Sequence, residues 1–431
     1  MPMFKQLPGV HVKHNKNTAG MEIVKMPIPA EVVISMSQHL GSPCKPLVKA
    51  GDSVKVGQKI GDSDEFLSAP IHSSVSGTVK AVEKTVTSRG AEVDAVVITA
   101  DGEQTLSEEI QVPIINSQAD LVAAAKACGL VGLGGAGFPT HIKLNPKNLD
   151  AVDTLAVNGA ECEPYITSDY RQMVEKSEEL LDAIALVMKH LNIAKTVIGI
   201  ENNKPDAISR LTELAAARPE EITVMPLHAV YPKGGEKVLI YETTGRVVEE
   251  GKLPADAGVI VMNVGTLVKL NDFVKTGIPL VAKVITVDGS AVKEPKNVLA
   301  PIGTRIEDVI NFCGGYSCDP AEIIMGGPMM GVTCKDDQTA ILKMNNAILA
   351  FNEKDAAMKP ETACIRCGKC LRVCPVGLKP AGIDRAYHAE NVDALKALKV
   401  NLCMECGCCA YICPAKRHLV AYNQMGKKMI R

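Results

Sequence analysis

Two runs near the C-terminus, CIRCGKCLRVCP at Cys364–Pro375 and CMECGCCAYICP at Cys403–Pro414, repeat one spacing, C-x2-C-x2-C-x3-C-P. A chain that carries this spacing twice must fold so that cysteines distant in sequence meet. In two-cluster iron–sulfur modules the first three cysteines of one run and the fourth of the other hold each [4Fe–4S] cluster. Thiolates are the soft ligands that such clusters prefer. The spacing therefore predicts Cys364, Cys367, Cys370 and Cys413 on one cluster, and Cys403, Cys406, Cys409 and Cys374 on the other. A zinc ribbon would use two C-x2-C pairs and leave the third cysteine, the fourth cysteine and the proline of each run unexplained. Cys408 fits no ligand position and reads as a neighbouring free thiol, although its adjacency to Cys409 leaves a one-residue shift of register open.

At 431 residues the chain is too long for the cysteine module alone, and three or four folding units are expected. Lys and Arg total 47 against 49 Asp and Glu, so no electrostatic footprint for nucleic acid is present. With no Trp and 3% aromatics, base-stacking platforms are not expected either. The terminal Lys427, Lys428 and Arg431 read as a solvated tail. Apolar stretches fall short of the roughly 20 residues a membrane span needs, so the expectation is a chain without a transmembrane segment. The opening MPMFKQLPGVHVKHNKN has no apolar core of a signal peptide, and eight of the fifteen cysteines sit at cluster positions that need reduced thiolates. Both point to the cytoplasm. Cys44, Cys128, Cys162, Cys313, Cys318 and Cys334 read as small buried hydrophobes.

The expected fold class is multidomain α/β. Residues 1–112 form an N-terminal segment in which short β-branched runs alternate with Gly, Pro and Asp from about 30 to 100, the mark of a small all-β domain. VKAGDSVKVGQKIG and SAPIHSSVSGTV resemble the barrel-sandwich hybrid of lipoyl and biotinyl carriers. The carrier lysine would follow Gln58-Lys59-Ile60, but Gly61-Asp62-Ser63-Asp64-Glu65 stands there, so a structural or docking domain is expected rather than a swinging arm. Residues 113–278 alternate helix Ser117–Cys128, strand Thr154–Val157, helix Tyr170–Leu191, strand Thr196–Glu201, helix Pro205–Ala217, strand Ile222–Leu227 and strand Val259–Asn263. That order predicts a largely parallel sheet covered by helices, with a ligand crevice beyond the carboxyl ends of its strands. Residues 279–354 read as a small α+β unit resembling the β-grasp soluble-ligand-binding module. Residues 355–431 form the two-cluster, ferredoxin-like α-helical unit, with one helix from Pro380 through Lys399 joining the cysteine runs.

GLVGLGGAGFPTHIK at Gly129–Lys143 contains G-x-G-x-x-G through Gly132, Gly134 and Gly137. It follows a helix, not a strand, so an ordinary dinucleotide-binding βαβ unit fits poorly. Glycines still let a backbone approach a flat ring or phosphate and present N–H groups to an anion, and Lys143 can add a point charge. A ligand-free turn is the bland alternative. VNGAECEP at Val157–Pro164, YPKGGEK at Tyr231–Lys237 and NVGTLVKL at Asn263–Leu270 each follow a predicted strand end. Their joint position at a crevice argues for a ligand, although acids such as Glu161 and Glu163 taken singly are usually only solvated.

GLGGAGFPTHIK resembles the GRGGAGFPTGLKW loop of the NADH-binding flavoprotein subunit of respiratory complex I, VNGAECEP resembles its CNADESEP, and NVGTL its NVETL. With the barrel-sandwich domain in front and tandem cysteine runs behind, the whole chain resembles the RnfC family of the Rnf complexes, ion-translocating ferredoxin:NAD oxidoreductases of bacterial membranes. That resemblance implies FMN at Gly132, Gly134, Gly135 and Ala136, with Lys143 near its phosphate and Asn158, Asn263 and Thr266 as further flavin contacts. It places Phe138, Glu161, Glu163 and Glu236 toward NAD(H), with Tyr231, Gly234 and Gly235 in the adjoining loop. Leu133 stands where the complex I motif has arginine and Ala160 where it has aspartate, so contacts of those side chains do not carry over.

The resemblance further implies a NAD-dependent oxidoreductase subunit that exchanges hydride between NAD(H) and FMN without a catalytic side chain. Single electrons would pass through two [4Fe–4S] clusters, coupled in the complex to Na+ or H+ movement. Its partners would be the membrane and peripheral subunits, with ferredoxin as indirect electron donor, and its place the cytoplasmic face of the cell membrane. Two alternatives are a cobalamin-reductase-type flavoprotein, in which the barrel-sandwich segment follows the cluster domain, and an electron wire without nucleotide binding.

Overall fold

The computed structural model describes residues 6–87 and 90–430; Arg431 of the basic tail lies outside them. Residues 31–100 build two small antiparallel sheets. One has the order Ser53–Val54, Gly77–Val86, Glu92–Ala100, Glu31–Ser35; the other sets Lys59–Asp62 between Lys45–Pro46 and Ile71–His72. Val32, Ile34, Met36, Val54, Ile60, Ile71, Val79, Val96 and Ile98 fill the space between them. Lys59 and Asp62 pair at the two ends of their strand, and the loop beyond it leaves Phe66 80% exposed.

Four parallel strands form the central sheet, in the order Glu221–Leu227, Lys195–Glu201, Thr154–Gly159, Val259–Asn263. Alternation along Thr154–Gly159 divides the core. Leu155 and Val157 join the cluster formed with helices Gln118–Ala127, Ser177–Leu191 and Val264–Thr276, whereas Ala156 faces Leu239 and Ile240 of helix Glu236–Thr244. A sheet buried on both faces leaves its strand ends as the place for ligands. The chain order reverses between Thr154–Gly159 and Val259–Asn263, which puts Asn158 directly opposite Asn263. The switch point of the sheet therefore lies between two of the residues expected to contact a flavin.

Ser117 caps the first of these helices by accepting from Asp120 N–H, and Gly129 takes φ +64 just beyond it. The single helix expected over Tyr170–Leu191 is two, Ser168–Glu175 and Ser177–Leu191, because Lys176 leaves helical dihedrals. The six-stranded mixed sheet of the β-grasp unit runs Ile23–Lys25, Lys296–Pro301, Ala282–Asp288, Ala347–Phe351, Glu322–Met325, Val332–Thr333 around helix Ile306–Phe312. Its first edge strand comes from the N-terminal segment, which also pairs Val10 with Tyr231. Residues 10–25 thus run across the flavin-type and β-grasp units rather than folding with the barrel-sandwich sheets.

In the C-terminal unit, helix Pro380–His388 packs on Leu419–Met429 around Ile383, Leu395 and Val400. The helix expected from Pro380 through Lys399 is interrupted: Glu390 adopts φ +50, and Asn391 caps a second helix, Val392–Ala397. Lys427 is not part of a solvated tail, since its Nζ donates to Glu405 and to the Cys403 carbonyl. Of the six scattered cysteines five are buried, but Cys318 is exposed. Among the described residues no helix is long and apolar enough to cross a membrane.

Candidate functional site

The glycine-rich loop lies over the switch point and is fastened from several sides. Gly132 N–H donates to Phe138 O, and Leu40 N–H from the barrel-sandwich domain donates to Gly137 O. Leu133 N–H donates to Thr266 Oγ1 at 3.0 Å, while Thr266 N–H donates to Asn263 Oδ1 as the cap of helix Val264–Thr276. Gly134, Gly135 and Ala136 remain exposed. A Cβ on Gly135 would meet nothing within 4 Å, whereas one on Gly134 would come within 2.5 Å of Asn263 Nδ2. The loop is thus a shelf of bare backbone, open on one side and backed by Asn263 on the other. Such a shelf fits the flat ring of FMN.

Leu133 and Ala160 point into the core, 3% and 0% exposed, so where the related motif carries charged side chains this chain has packing. Lys143 Nζ donates to Glu236 Oε1 at 2.7 Å and to Val261 O at 2.9 Å. A residue expected near phosphate and one expected toward the nicotinamide nucleotide are therefore ion-paired at one edge of the crevice. Asn158 Nδ2 donates to Gly234 O at 2.8 Å, tying the Tyr231–Glu236 loop to the central strand. Gly234 N–H in turn donates to Cys162 Sγ.

Glu161 and Glu163 are turned to different tasks. Glu161, with φ +46, accepts from Asp169 N–H at 2.6 Å and Tyr170 N–H at 3.1 Å, at the start of helix Ser168–Glu175. Glu163 accepts from Met329 N–H at 3.0 Å and from Tyr231 Oη–H at 3.4 Å, and so clasps a β-grasp turn. Burial pushes its carboxyl up to about 7, against the N–H groups of Met329 and Met330. Both acids are thus engaged in holding the VNGAECEP loop.

Sequence reasoning missed the cations behind that loop. Lys16 Nζ donates to the carbonyls of Glu161, Glu163 and Ile166 at 2.8, 2.9 and 2.5 Å, and Lys204 Nζ to the carbonyl of Ala160 at 2.7 Å. Nothing in the spacing of KHNKN marks Lys16, because its partners lie some 150 positions away.

The cysteine runs fold alike. Arg366 and Glu405 take φ +55 and +58, Gly368 and Gly407 take +72 and +84, and each glycine starts a short helix, Lys369–Arg372 and Cys408–Tyr411. In this correspondence Cys409 matches Cys370, and Cys408 matches Lys369. Cys374, Cys403, Cys406 and Cys409 line one pocket together with Pro375, Leu378 and Asn423. Burial raises the Cys409 thiol, and Cys403, Cys406 and Cys374 add to it by proximity. Cys370 and Cys413 are buried near Cys364, while Cys364 and Cys367 reach the surface. Both sets consist of thiols, the donors a [4Fe–4S] cluster takes, but among the described residues no three such side chains are gathered closely enough to hold a metal ion as they stand. Cys408 borders the same pocket and its thiol is hydrogen-bonded with that of Cys406, while its Sγ also lies 3.8 Å from Tyr231 O. Met404 lies over Gly235, where a Cβ would meet its Cε at 2.3 Å. The second cage is thus packed against the loop that borders the crevice.

Comparisons with known proteins match each unit. The Nuo51 FMN-binding domain matches residues 125–272, the RnfC barrel sandwich hybrid domain 4–103, the SLBB domain 284–333 and the 4Fe-4S dicluster domain 357–414. Among solved structures, an NAD+-reducing [NiFe]-hydrogenase chain superposes with TM-score 0.51 at 18% identity, covering 73% of this chain and 63% of that one; this shows the fold alone. The RnfC-type component of the Na(+)-translocating ferredoxin:NAD(+) oxidoreductase complex of Acetobacterium woodii is 42% identical over 98% of this chain and 96% of its own length. Its counterpart in the proton-translocating complex of Clostridium ljungdahlii is 43% identical over 86% and 82%. The one from the ion-translocating oxidoreductase complex of Rhodobacter capsulatus is 36% identical over 91% and 76%. With four domains matched in order and relatives 36–43% identical aligned over 76–96% of their own length, the chain belongs to the RnfC family of ion-translocating ferredoxin:NAD(+) oxidoreductase complexes.

Proposed function

We propose that this chain is the NAD(H)-handling subunit of such a complex. It binds FMN on the Gly132–Ala136 shelf and NAD(H) beside it, and connects them to two [4Fe–4S] clusters held by Cys364, Cys367, Cys370 and Cys413 and by Cys403, Cys406, Cys409 and Cys374. It works as a peripheral subunit at the cytoplasmic face of the membrane, with the other Rnf subunits as partners and ferredoxin as the more distant donor.

The observation that carries this reading is the contact between the second cysteine cage and the crevice loop, through Met404 on Gly235 and Cys408 on Tyr231. A nicotinamide moves electrons in pairs and an iron–sulfur cluster singly, and bound FMN supplies the conversion between them. The chain's own residues bind and orient. The glycine shelf gives close backbone approach, Lys143 gives a positive charge at its edge, and Phe138 is a half-buried apolar side chain of the same loop. Hydride transfer needs no protein acid or base, so no side chain is assigned one. The barrel-sandwich domain precedes the flavin domain here, which favours this reading over a cobalamin reductase.

The test is anaerobic purification with cluster reconstitution. FMN released by acid and a flavin absorbance bleached by NADH support the reading; a protein showing neither is an electron wire without nucleotide binding.

A further inference from the structure

Behind the flavin shelf lies a buried pair of opposite charges that the proposed function does not use. Asp169, on helix Ser168–Glu175, is 5% exposed, and Lys283, on strand Ala282–Asp288 of the β-grasp unit, is 2% exposed. Asp169 Oδ2 accepts from Asn263 Nδ2 at 2.6 Å. Among the described residues its other oxygen, Oδ1, has no hydrogen-bond partner, and neither has Lys283 Nζ. Lys283 is nonetheless the strongest charge acting to keep Asp169 ionised, and Asp169 is the strongest acting to keep Lys283 protonated. No hydrogen bond or ion pair joins the two, and Lys16 and Lys204 also act on Asp169, as Glu161 does on Lys283. A buried carboxylate and ammonium left partly unsatisfied cost stability, so their presence here calls for a reason.

That reason lies in what Asp169 holds. The Asn263 amide is fixed at both ends: Nδ2 donates to Asp169, and Oδ1 accepts from Thr266 N–H. Thr266 Oγ1 then accepts from Leu133 N–H of the glycine loop. Gly134 lies beside the Asn263 amide, which leaves no room for a side chain there: a Cβ would come within 2.5 Å of Nδ2. Asp169 is therefore one side chain removed from the glycine loop, and among cations Lys283 of the β-grasp unit acts on it most strongly.

We propose that Asp169 and Lys283 are positioning residues of the flavin site: Asp169 locks the orientation of the Asn263 amide, and the Asp169–Lys283 charge pair sets how readily the flavin accepts a hydride. The proposal rests on the reading of Asn263 as a flavin contact. Its physical basis is charge. When NADH gives its hydride to FMN, the products are NAD+ and FMNH−, so the flavin gains one negative charge while the protein gains and loses none. A nearby ammonium favours the product and a nearby carboxylate opposes it, the more so in a site shielded from water. Lys283, which burial lowers to about 8, is still mostly protonated at neutral pH. The β-grasp unit thereby contributes to flavin chemistry without touching the flavin.

The experiment compares Lys283→Met, Asp169→Asn, the double variant and Asn263→Ala in the full chain, purified anaerobically with clusters reconstituted. FMN content is read by acid release, and the flavin midpoint by equilibration with mixtures of NADH and NAD+. Lys283→Met is expected to disfavour flavin reduction at least tenfold, about 30 mV for a two-electron couple. Asp169→Asn is expected to favour it by a similar factor, and the double variant to return toward the parent while still folding, because no lone charge is left buried. FMN-loaded single variants that shift in the same direction, or not at all, overturn the proposal. Asn263→Ala separates the underlying reading: unchanged FMN affinity and midpoint there would show that Asn263 does not contact the flavin, whatever the charge pair does.

Discussion

Gly135 and Lys16 show two ways in which one residue sets up the crevice. Gly135 leaves empty space where a side chain would stand, so Gly135→Ala should fold with unchanged thermal stability yet lose FMN affinity at least tenfold, measured by flavin retained through gel filtration. An alanine variant that keeps its flavin would remove the shelf from the account. Lys16 joins the N-terminal segment to three carbonyls of the loop that follows the strand of Asn158. Lys16→Met would leave those carbonyls buried without a donor, at a cost of about 3 kcal/mol after allowing for the relief of a desolvated charge. Denaturant unfolding reads that loss, and a rise in NADH KM should accompany it.

Glu163 brings a dependence on pH. Its folded pKa, about 7, lies above the ordinary 4.5 because burial disfavours the ionised form. The stability linked to it is therefore complete below about 4.5 and lost as pH rises through 7. At about 1.4 kcal/mol per unit, the loss is roughly 3 kcal/mol. Urea midpoints should fall between pH 5 and pH 8 in the parent and fall less in Glu163→Gln; parallel curves would contradict the assignment.

Elements were legible in the sequence where hydrophobic period and end signals agreed. The parallel strands and the Ser117-capped helix are of this kind. The breaks at Lys176 and Glu390 were not, because helical periodicity carries through both positions and the interruption is a matter of dihedral angles. At the second break the Glu390–Asn391 pair is a signal that could have been used, since Asn is a strong cap. Asn391→Ala should cost about 1 kcal/mol, seen as earlier loss of helix Val392–Ala397 in hydrogen exchange. The motif loops announced the crevice, but the cations that hold them did not. Lys16, Lys204 and Lys283 lie in ordinary stretches, and only the tertiary fold brings them to Glu161, Ala160 and Asp169. Cys408 is the reverse case. Its sequence adjacency to Cys409 left the register open; Cys408 corresponds to Lys369 in the matched helices, yet it borders the same pocket as Cys406 and Cys409.

Across the whole molecule, the domains are fastened to one another by buried side chains rather than strung on linkers. Lys343 of the segment leading into the last β-grasp strand donates to Pro70 O at 2.6 Å in the barrel-sandwich domain and to Gly129 O at 2.8 Å beside the glycine loop. Tyr231 pairs with Val10 and meets Cys408, joining the N-terminal segment, the flavin domain and the cluster domain. This arrangement gives the two cysteine cages different positions. The cage of Cys374, Cys403, Cys406 and Cys409 adjoins the crevice loop, whereas Cys364 and Cys367 of the other open to the surface.

The central claim is that electrons pass between NAD(H) at the crevice and the outer cysteine set by way of the set beside the crevice, in either direction. It is tested most directly by mixing NADH with reconstituted Cys374→Ala and Cys413→Ala variants, and following flavin absorbance and cluster paramagnetic resonance on the same time axis. Each variant should hold about half the parent's iron and still bleach its flavin. Cys413→Ala should reduce its remaining cluster as fast as the parent does, and Cys374→Ala should reduce its remaining outer cluster at least tenfold more slowly. Equal rates of cluster reduction in the two variants would contradict the account.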